Sequence, residues 1–422
     1  MYEKTILNNG LRVITHSMPG RESVGLGIWV GIGGRYEETK NKGISHFLEH
    51  LLFKGTRRYS ANRIKQSIEG VGGSLNGFTS EEFTCYYVKV PSKYLSGGLN
   101  VLSDMVLNPT LPEDEIEKER YVILEEIKMH KDLPQSYVHE VLDGLLWPEH
   151  PLGMNILGTF ESVGQIKRED LFEFKEKYHY PQNLVIAACG NLSHKEFLEN
   201  IERLFCSLSK SKEAEFSTFL PKKEGPKVKI LSKDTEQTHL AIGLYGLKRE
   251  HPQKYILSLL NIILGANMSS RLFCEVRERR GLAYEIGSSL KRFYDTGAVI
   301  IHAGMDNKKI CKGIEVILKE LGKLKKDLVK KDELKRAKEY YLGQLSLALE
   351  DTLDHMFWIG EATVTLNKIY SIEEVKRGIE EVSLEDLIGL ARNLFNQDSL
   401  NLALIGPDLD ESEILKIVRC LP

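Results

Sequence analysis

No stretch of eighteen or more apolar residues occurs in the 422-residue chain, which excludes a membrane-spanning helix. Cysteine is sparse: the six residues at 85, 189, 206, 274, 311 and 420 are scattered and never stand in C-x-x-C spacing. They fit free thiols in a reducing compartment, where such residues mostly act as small buried hydrophobes. An excess of either charge is missing too. The formal net charge is -3, and no stripe of Arg and Lys with interleaved aromatics stands out, so a nucleic-acid footprint is absent. Met1-Tyr-Glu-Lys leads into a strand pattern without an apolar core segment or an Arg-rich, acid-poor leader. The expectation is therefore a protein without signal or transit peptide, in the bacterial cytoplasm. The glycine-rich Gly70–Ser80 lacks the Gly-Lys-Ser/Thr of a phosphate loop, which leaves a nucleotide site without support. Hydrophobic residues at 42% and charged residues at 28% are ordinary for a globular protein, and the length allows two cores.

What the chain does contain is His46-Phe-Leu-Glu-His50. On a helix the two imidazoles, four apart, share one face, and Glu49 lies beside them. Two histidines can hold one zinc ion while the carboxylate reaches water at the metal, in the order H-x-x-E-H. Gly43 suits the start of that helix and Gly55 its end; Ile44, Phe47, Leu48, Leu51 and Leu52 supply an apolar face. Two polar histidines on a partly buried helix would also satisfy the pentad alone. A catalytic zinc usually takes a third protein ligand. Candidates lie in Pro112–Met129, which reads as a long helix with acids near its N-terminus. Glu119 and Glu126, seven apart, face the same way two turns on. Ile116, Ile123, Leu124 and Ile127 suggest apolar surroundings, where a carboxylate needs a cation or a donor.

With these residues in view, the chain resembles the inverzincin zinc peptidases of the pitrilysin family (M16), in the processing-peptidase branch that includes the catalytic beta subunit of the mitochondrial processing peptidase and bacterial homologues. The resemblance runs over essentially the whole chain. It implies a metalloendopeptidase with one Zn²⁺ per chain, ligated by His46, His50 and Glu126, with Glu49 as the base and Glu119 orienting a ligand histidine. The neighbouring Glu125 is an alternative ligand, but it is turned about 100° around the helix axis from that face. In the family, the segment after the glycine-rich turn is an edge strand to which an extended peptide adds. That resemblance assigns substrate backbone to Asn76, Gly77, Phe78 and Thr79. It also assigns Arg277 and Tyr284 to a pair of donors for substrate oxygens or the tetrahedral intermediate. Surface ion pairing of Arg277 with Glu275 or Glu278 is the bland alternative.

Element order repeats at about half the chain. Ser23-Val-Gly-Leu-Gly-Ile-Trp-Val-Gly, the metal helix and Thr84–Val90 have counterparts in Thr238–Gly246, Tyr255–Leu264 and Gly297–Gly304. The metal residues have none, as expected from duplication with one retained site. The polar, proline-bearing 209–226 reads as a linker. It separates a catalytic domain, 1–208, from a homologous domain, 227–422, without a metal site. Helices are expected at 43–53, 60–69, 92–106, 113–130, 136–146, 193–204, 253–264, 269–279, 307–325, 330–349, 372–382 and 383–395. The class is α+β, two homologous domains, each a mostly antiparallel sheet with helices on one face. The resemblance further implies a homodimer closing a chamber around peptide or unfolded polypeptide. The competing expectation is a noncatalytic structural or peptide-binding homologue of the same fold.

Overall fold

The structure, a computed structural model, describes residues 2–211, 214–222, 224–407 and 409–421. The chain forms two compact units. One comprises Met1–Lys128, Asn155–Ser217 and Leu345–Ile369; the other comprises Met129–Met154, Thr218–Gln344 and Tyr370–Pro422. These differ from contiguous halves: each unit includes a segment from the other half of the sequence. Of the expected linker, Lys212, Glu213 and Lys223 lie outside the described residues, and its described remainder forms neither helix nor strand.

The first unit contains a six-stranded sheet of β1 (Tyr2–Ile6), β2 (Arg12–Ser17), β3 (Ser23–Val30), β4 (Ser74–Thr79), β5 (Thr84–Pro91) and β6 (Leu184–Gly190), ordered β1-β2-β6-β3-β5-β4. Only β2 and β6 run parallel. The second unit contains β7 (Lys227–Ser232), β8 (Gln237–Tyr245), β9 (Ala283–Arg292), β10 (Gly297–Asp306) and β11 (Leu400–Gly406), ordered β7-β11-β8-β10-β9. Again one pair, β7 with β11, is parallel. Strand for strand the second sheet repeats the first without β1, so the duplication read from element order is present in the topology. The expected class, two mostly antiparallel sheets with packed helices, holds.

The sheets' central strands are apolar on both faces. Every residue of β6 is buried. Leu184, Ile186 and Ala188 join the large core with Phe47, Leu51 and Leu102; Val185, Ala187 and Cys189 join a second cluster with Met356 and Ile359. Such a strand needs cover on both sides. In the first unit the far face is covered by the helix Thr352–Leu366. In the second unit the helix Pro134–Leu146 packs Val138, Leu142 and Leu146 against Ala241, Tyr245 and Ala403. These two helices are the segments that depart from contiguous halves, and coverage of the second face is the addition to the expected architecture.

Glycines set how close those helices come. A Cβ on Gly25 would stand 2.7 Å from the Thr352 carbonyl oxygen, and one on Gly27 2.6 Å from Met356 Sδ. In the second unit a Cβ on Gly243 would stand 2.9 Å from Leu146 Cδ1. The expected helix at 269–279 differs as well: Phe273–Glu278 is a π-helix, with the N–H of Arg279 donating to the Cys274 carbonyl at 3.0 Å.

Candidate metal centre

The helix Ile44–Leu52 starts at Gly43, whose φ of 94° is left-handed. A Cβ there would stand 2.6 Å from the Leu157 carbonyl oxygen. Glu37, fully buried at its side chain, accepts from the N–H groups of Gly43 (3.0 Å) and Ser45 (2.8 Å) and pairs with Lys42 Nζ at 3.3 Å. A carboxylate on the first free N–H groups satisfies orphan donors and suits the positive helix end. Ile44, Phe47, Leu48, Leu51 and Leu52 are buried, which fixes the helix by its apolar face and turns His46, Glu49 and His50 the other way.

The second helix, Glu113–Asp132, is anchored through Ile116, Ile123 and Ile127 and buries Glu119 on that side. Glu126 Oε2 lies 3.9 Å from Nε2 of His46 and 3.9 Å from Nε2 of His50. One ligand atom from each of the three residues lies within 4.8 Å of the others. The adjacent Glu125 is 69% exposed and paired with Lys128 at 2.5 Å, away from the histidines.

The site's polar atoms fit a cation. Glu126 Oε2 and His46 Nδ1 are buried without a hydrogen-bond partner among the described residues. Zinc bonds of about 2.0–2.2 Å put tetrahedral ligand atoms roughly 3.3–3.6 Å apart. The two carboxylate–imidazole spacings of 3.9 Å are slightly wider than that. Two imidazoles and a carboxylate are a donor set that suits zinc and leaves a coordination position open. Burial, with His50 beside it, lowers His46 to about 3, so the ring is neutral with a lone pair to donate.

Around these ligands stand two more carboxylates. Glu119 Oε2 meets His50 Nδ1 at 3.0 Å, while its Oε1 meets Lys54 Nζ at 2.5 Å. Burial works to raise Glu119, but Lys54 and then His50 outweigh it and hold the carboxyl below its usual range. Glu49 accepts from Thr79 Oγ1 at 3.1 Å. Burial pushes Glu49 up; His50 and the Thr79 hydroxyl oppose that, Glu126 adds to it, and the net is a raised carboxyl. A raised carboxyl suits proton traffic near neutrality.

β4 carries Thr79 and is the edge strand of its sheet, with β5 as its one strand neighbour. Side chains alternate across a strand. Gly77 and Thr79 face Glu49; a Cβ on Gly77 would stand 3.1 Å from Glu49 Oε1. Phe78 faces the opposite side, in ring contact with Trp29, Phe83, Tyr87 and Phe357. The Asn76 side chain is bent back, accepting from the Gly77 N–H at 2.8 Å.

Arg277 and Tyr284 belong to the second unit. The Arg277 guanidinium lies 4.8 Å from the Phe273 ring centre and 5.4 Å from that of Tyr284, and Tyr284 is 75% exposed. Arg271 is committed to Glu333, and Arg279 and Arg280 to Glu275. Arg277 has no carboxylate partner among the described residues. Glu37 and Lys54 have no role in the sequence reading. Lys54 had a signal, standing four residues after His50; Glu37, in an irregular segment before the helix, had none.

Residues 12–160 match the family described as Insulinase (Peptidase family M16), and residues 165–341 match the Peptidase M16 inactive domain. The uncharacterized zinc protease YmxG of Bacillus subtilis is 39% identical over 408 residues, covering 96% of this chain and 98% of its own. The uncharacterized zinc protease Rv2782c of Mycobacterium tuberculosis is 36% identical over 425 residues, 99% and 96% of the two chains. Among solved structures, a protease from Helicobacter pylori superposes with a TM-score of 0.90 at 23% identity, covering 96% of this chain and 99% of that one. A chain of complex III2 from Candida albicans superposes at 0.85 with 20% identity, covering 99% of each, a likeness of fold alone.

Proposed function

The chain belongs to peptidase family M16, and from that premise we propose a zinc metalloendopeptidase that cleaves extended peptides or unfolded segments, of the inverzincin, processing-peptidase type. The observation that carries the reading is the convergence of His46, His50 and Glu126 within 4.8 Å. Held by those three, zinc would polarise the scissile carbonyl and make a neighbouring water more acidic. Glu49 takes the proton of the attacking water and hands it to the leaving amine. The Thr79 hydroxyl holds that carboxylate in place. Glu119 fixes the His50 ring through Nδ1.

The edge of β4 is the seat for an extended substrate, joined by main-chain hydrogen bonds. Asn76 to Thr79 then contribute backbone at that edge, since the Phe78 ring is already packed against Trp29 and Phe357. Arg277 and Tyr284 act as donors to substrate oxygens, and the lack of a carboxylate on Arg277 supports that role. The active form is a homodimer in which this pair serves the metal centre of the second copy. Six free cysteines suit a reducing bacterial cytoplasm.

A noncatalytic structural or peptide-binding role on the same fold is the competing reading. The intact ligand cluster weighs against it, since function is argued from a site and not from a fold. Zinc content and peptide cleavage test the choice. Glu49→Gln should keep about one zinc per chain and lose cleavage by roughly 10²–10⁴-fold. Glu126→Gln should lose zinc, and Glu125→Gln should keep it. Parent-level cleavage by the Glu49 variant would overturn the base. A zinc-loaded parent that binds peptides without cutting them would overturn the enzyme.

A further inference from the structure

We propose that Lys54 is a positioning residue of the metal centre: it grips one oxygen of Glu119 so that the other stays on His50 Nδ1 and the ring's Nε2 stays aimed at the metal. The inference rests on the zinc reading above. Lys54 follows His50 by four residues, just beyond the helix Ile44–Leu52. Its N–H still bonds the Leu51 carbonyl at 3.0 Å, so the chain keeps turning and carries Lys54 back to the face of His50. Glu119 arrives from the other helix between two buried isoleucines, Ile116 and Ile123. Its carboxylate is a bridge: Oε1 to Lys54 Nζ at 2.5 Å, Oε2 to His50 Nδ1 at 3.0 Å.

A carboxylate held at both oxygens cannot rotate about its last bond. Held at one, it swings, and the imidazole it orients swings with it. The two ligand rings differ here: His50 has this brace, while Nδ1 of His46 is buried with no hydrogen-bond partner among the described residues. Charge points the same way. Glu49, Glu119 and Glu126 carry three negative charges when ionised. A divalent ion offsets two of them and Lys54 the third, which a low-dielectric site requires. Burial separates this pair from a surface one of equal length: Lys54 and Glu119 are 25% and 9% exposed at their side chains, Lys128 and Glu125 54% and 69%.

The test uses the full-length protein, with zinc affinity measured by competition against a chromogenic chelator and ligand geometry read from the absorption bands of the cobalt(II)-substituted form. Lys54→Met should weaken zinc about 10–100-fold, the usual loss for a partner behind a metal ligand, and alter the cobalt bands. Lys54→Arg, which keeps charge and donors, should stay near the parent. Lys54→Gln, which keeps a donor without charge, should fall between, and it carries the test if the Met variant does not fold. Parent affinity and an unchanged cobalt spectrum in Lys54→Met, or in Lys54→Gln where that variant stands in, would overturn the role of Lys54 alone. A parent that binds no zinc, or whose affinity survives Glu126→Gln, would take down the zinc reading and this inference with it.

Discussion

Thr79 donates to Glu49 over 3.1 Å, and Gly77, two residues earlier on the same face, leaves room for the other carboxylate oxygen. Neither touches a ligand atom of the His46–His50–Glu126 cluster in these contacts. Thr79→Val should therefore leave zinc content unchanged while kcat falls about tenfold or more, the worth of a hydrogen bond to a charged group being about 1.5–3 kcal/mol. Gly77→Ala should act on the same carboxylate by crowding it. Metal analysis beside steady-state kinetics separates this from a loss of zinc; zinc lost in step with activity would refute it. At this scale the sequence was most legible where chemistry is periodic. His46, Glu49 and His50 sit in one helical turn, and Glu119 and Glu126 two turns apart. The role of the Thr79 hydroxyl and the packing of Phe78 against Trp29 depend on which face of β4 meets the helix, and a lone edge strand does not announce that.

The helix Thr352–Leu366 has no counterpart among the expected elements, and its composition explains why. Its buried positions, Thr352, His355, Met356, Ile359, Gly360 and Thr363, mix apolar with polar and small residues, while Leu353, Phe357, Trp358 and Val364 spread further apolar groups around the axis, so no single stripe stands out. Its start was in fact marked: Asp351 caps it, accepting from the N–H groups of Leu353 at 2.7 Å and Asp354 at 3.3 Å. The helix Pro134–Leu146 was legible as a helix, yet the sheet it covers was not, because periodicity reports a face and not its partner. Close packing gives an element-scale prediction. A Cβ on Gly360 would run into the Trp29 indole, whereas one on Gly343, in the helix Lys331–Ala348, would meet nothing within 4 Å. Gly360→Ala should cost about 1–3 kcal/mol by overpacking. Gly343→Ala should gain about 0.5–1 kcal/mol by helix propensity. Urea unfolding of the two variants measures both, and equal effects would mean that the glycine at 360 is not there for contact.

At the scale of the whole molecule, the proposed dimer predicts rescue in trans. Glu49→Gln and Arg277→Ala, each inactive alone, should regain part of the activity after subunits are dissociated, mixed and reassociated. Proven exchange without recovery would remove the trans arrangement. Acid should act on the fold itself. Burial holds three histidines outside the metal centre neutral: His139 at about 4, His179 at about 3 and His355 at about 4, with His302, Lys175 and His16 respectively pushing the same way. An unfolded chain would protonate each near 6.5. Between that value and the folded ones the unfolded state binds more protons, so stability rises with pH across the window and is lost as pH falls. Urea midpoints of the zinc-free protein should be level above about pH 7.5 and should drop steadily from pH 6.5 to 5. Removing zinc matters, since metal release from His46 and His50 would otherwise contribute to the same slope. His139→Gln should flatten the profile in part, because one of the protons no longer enters the balance. A midpoint that stays level or rises on acidification would show that these rings are charged in the folded state, against the burial that surrounds them.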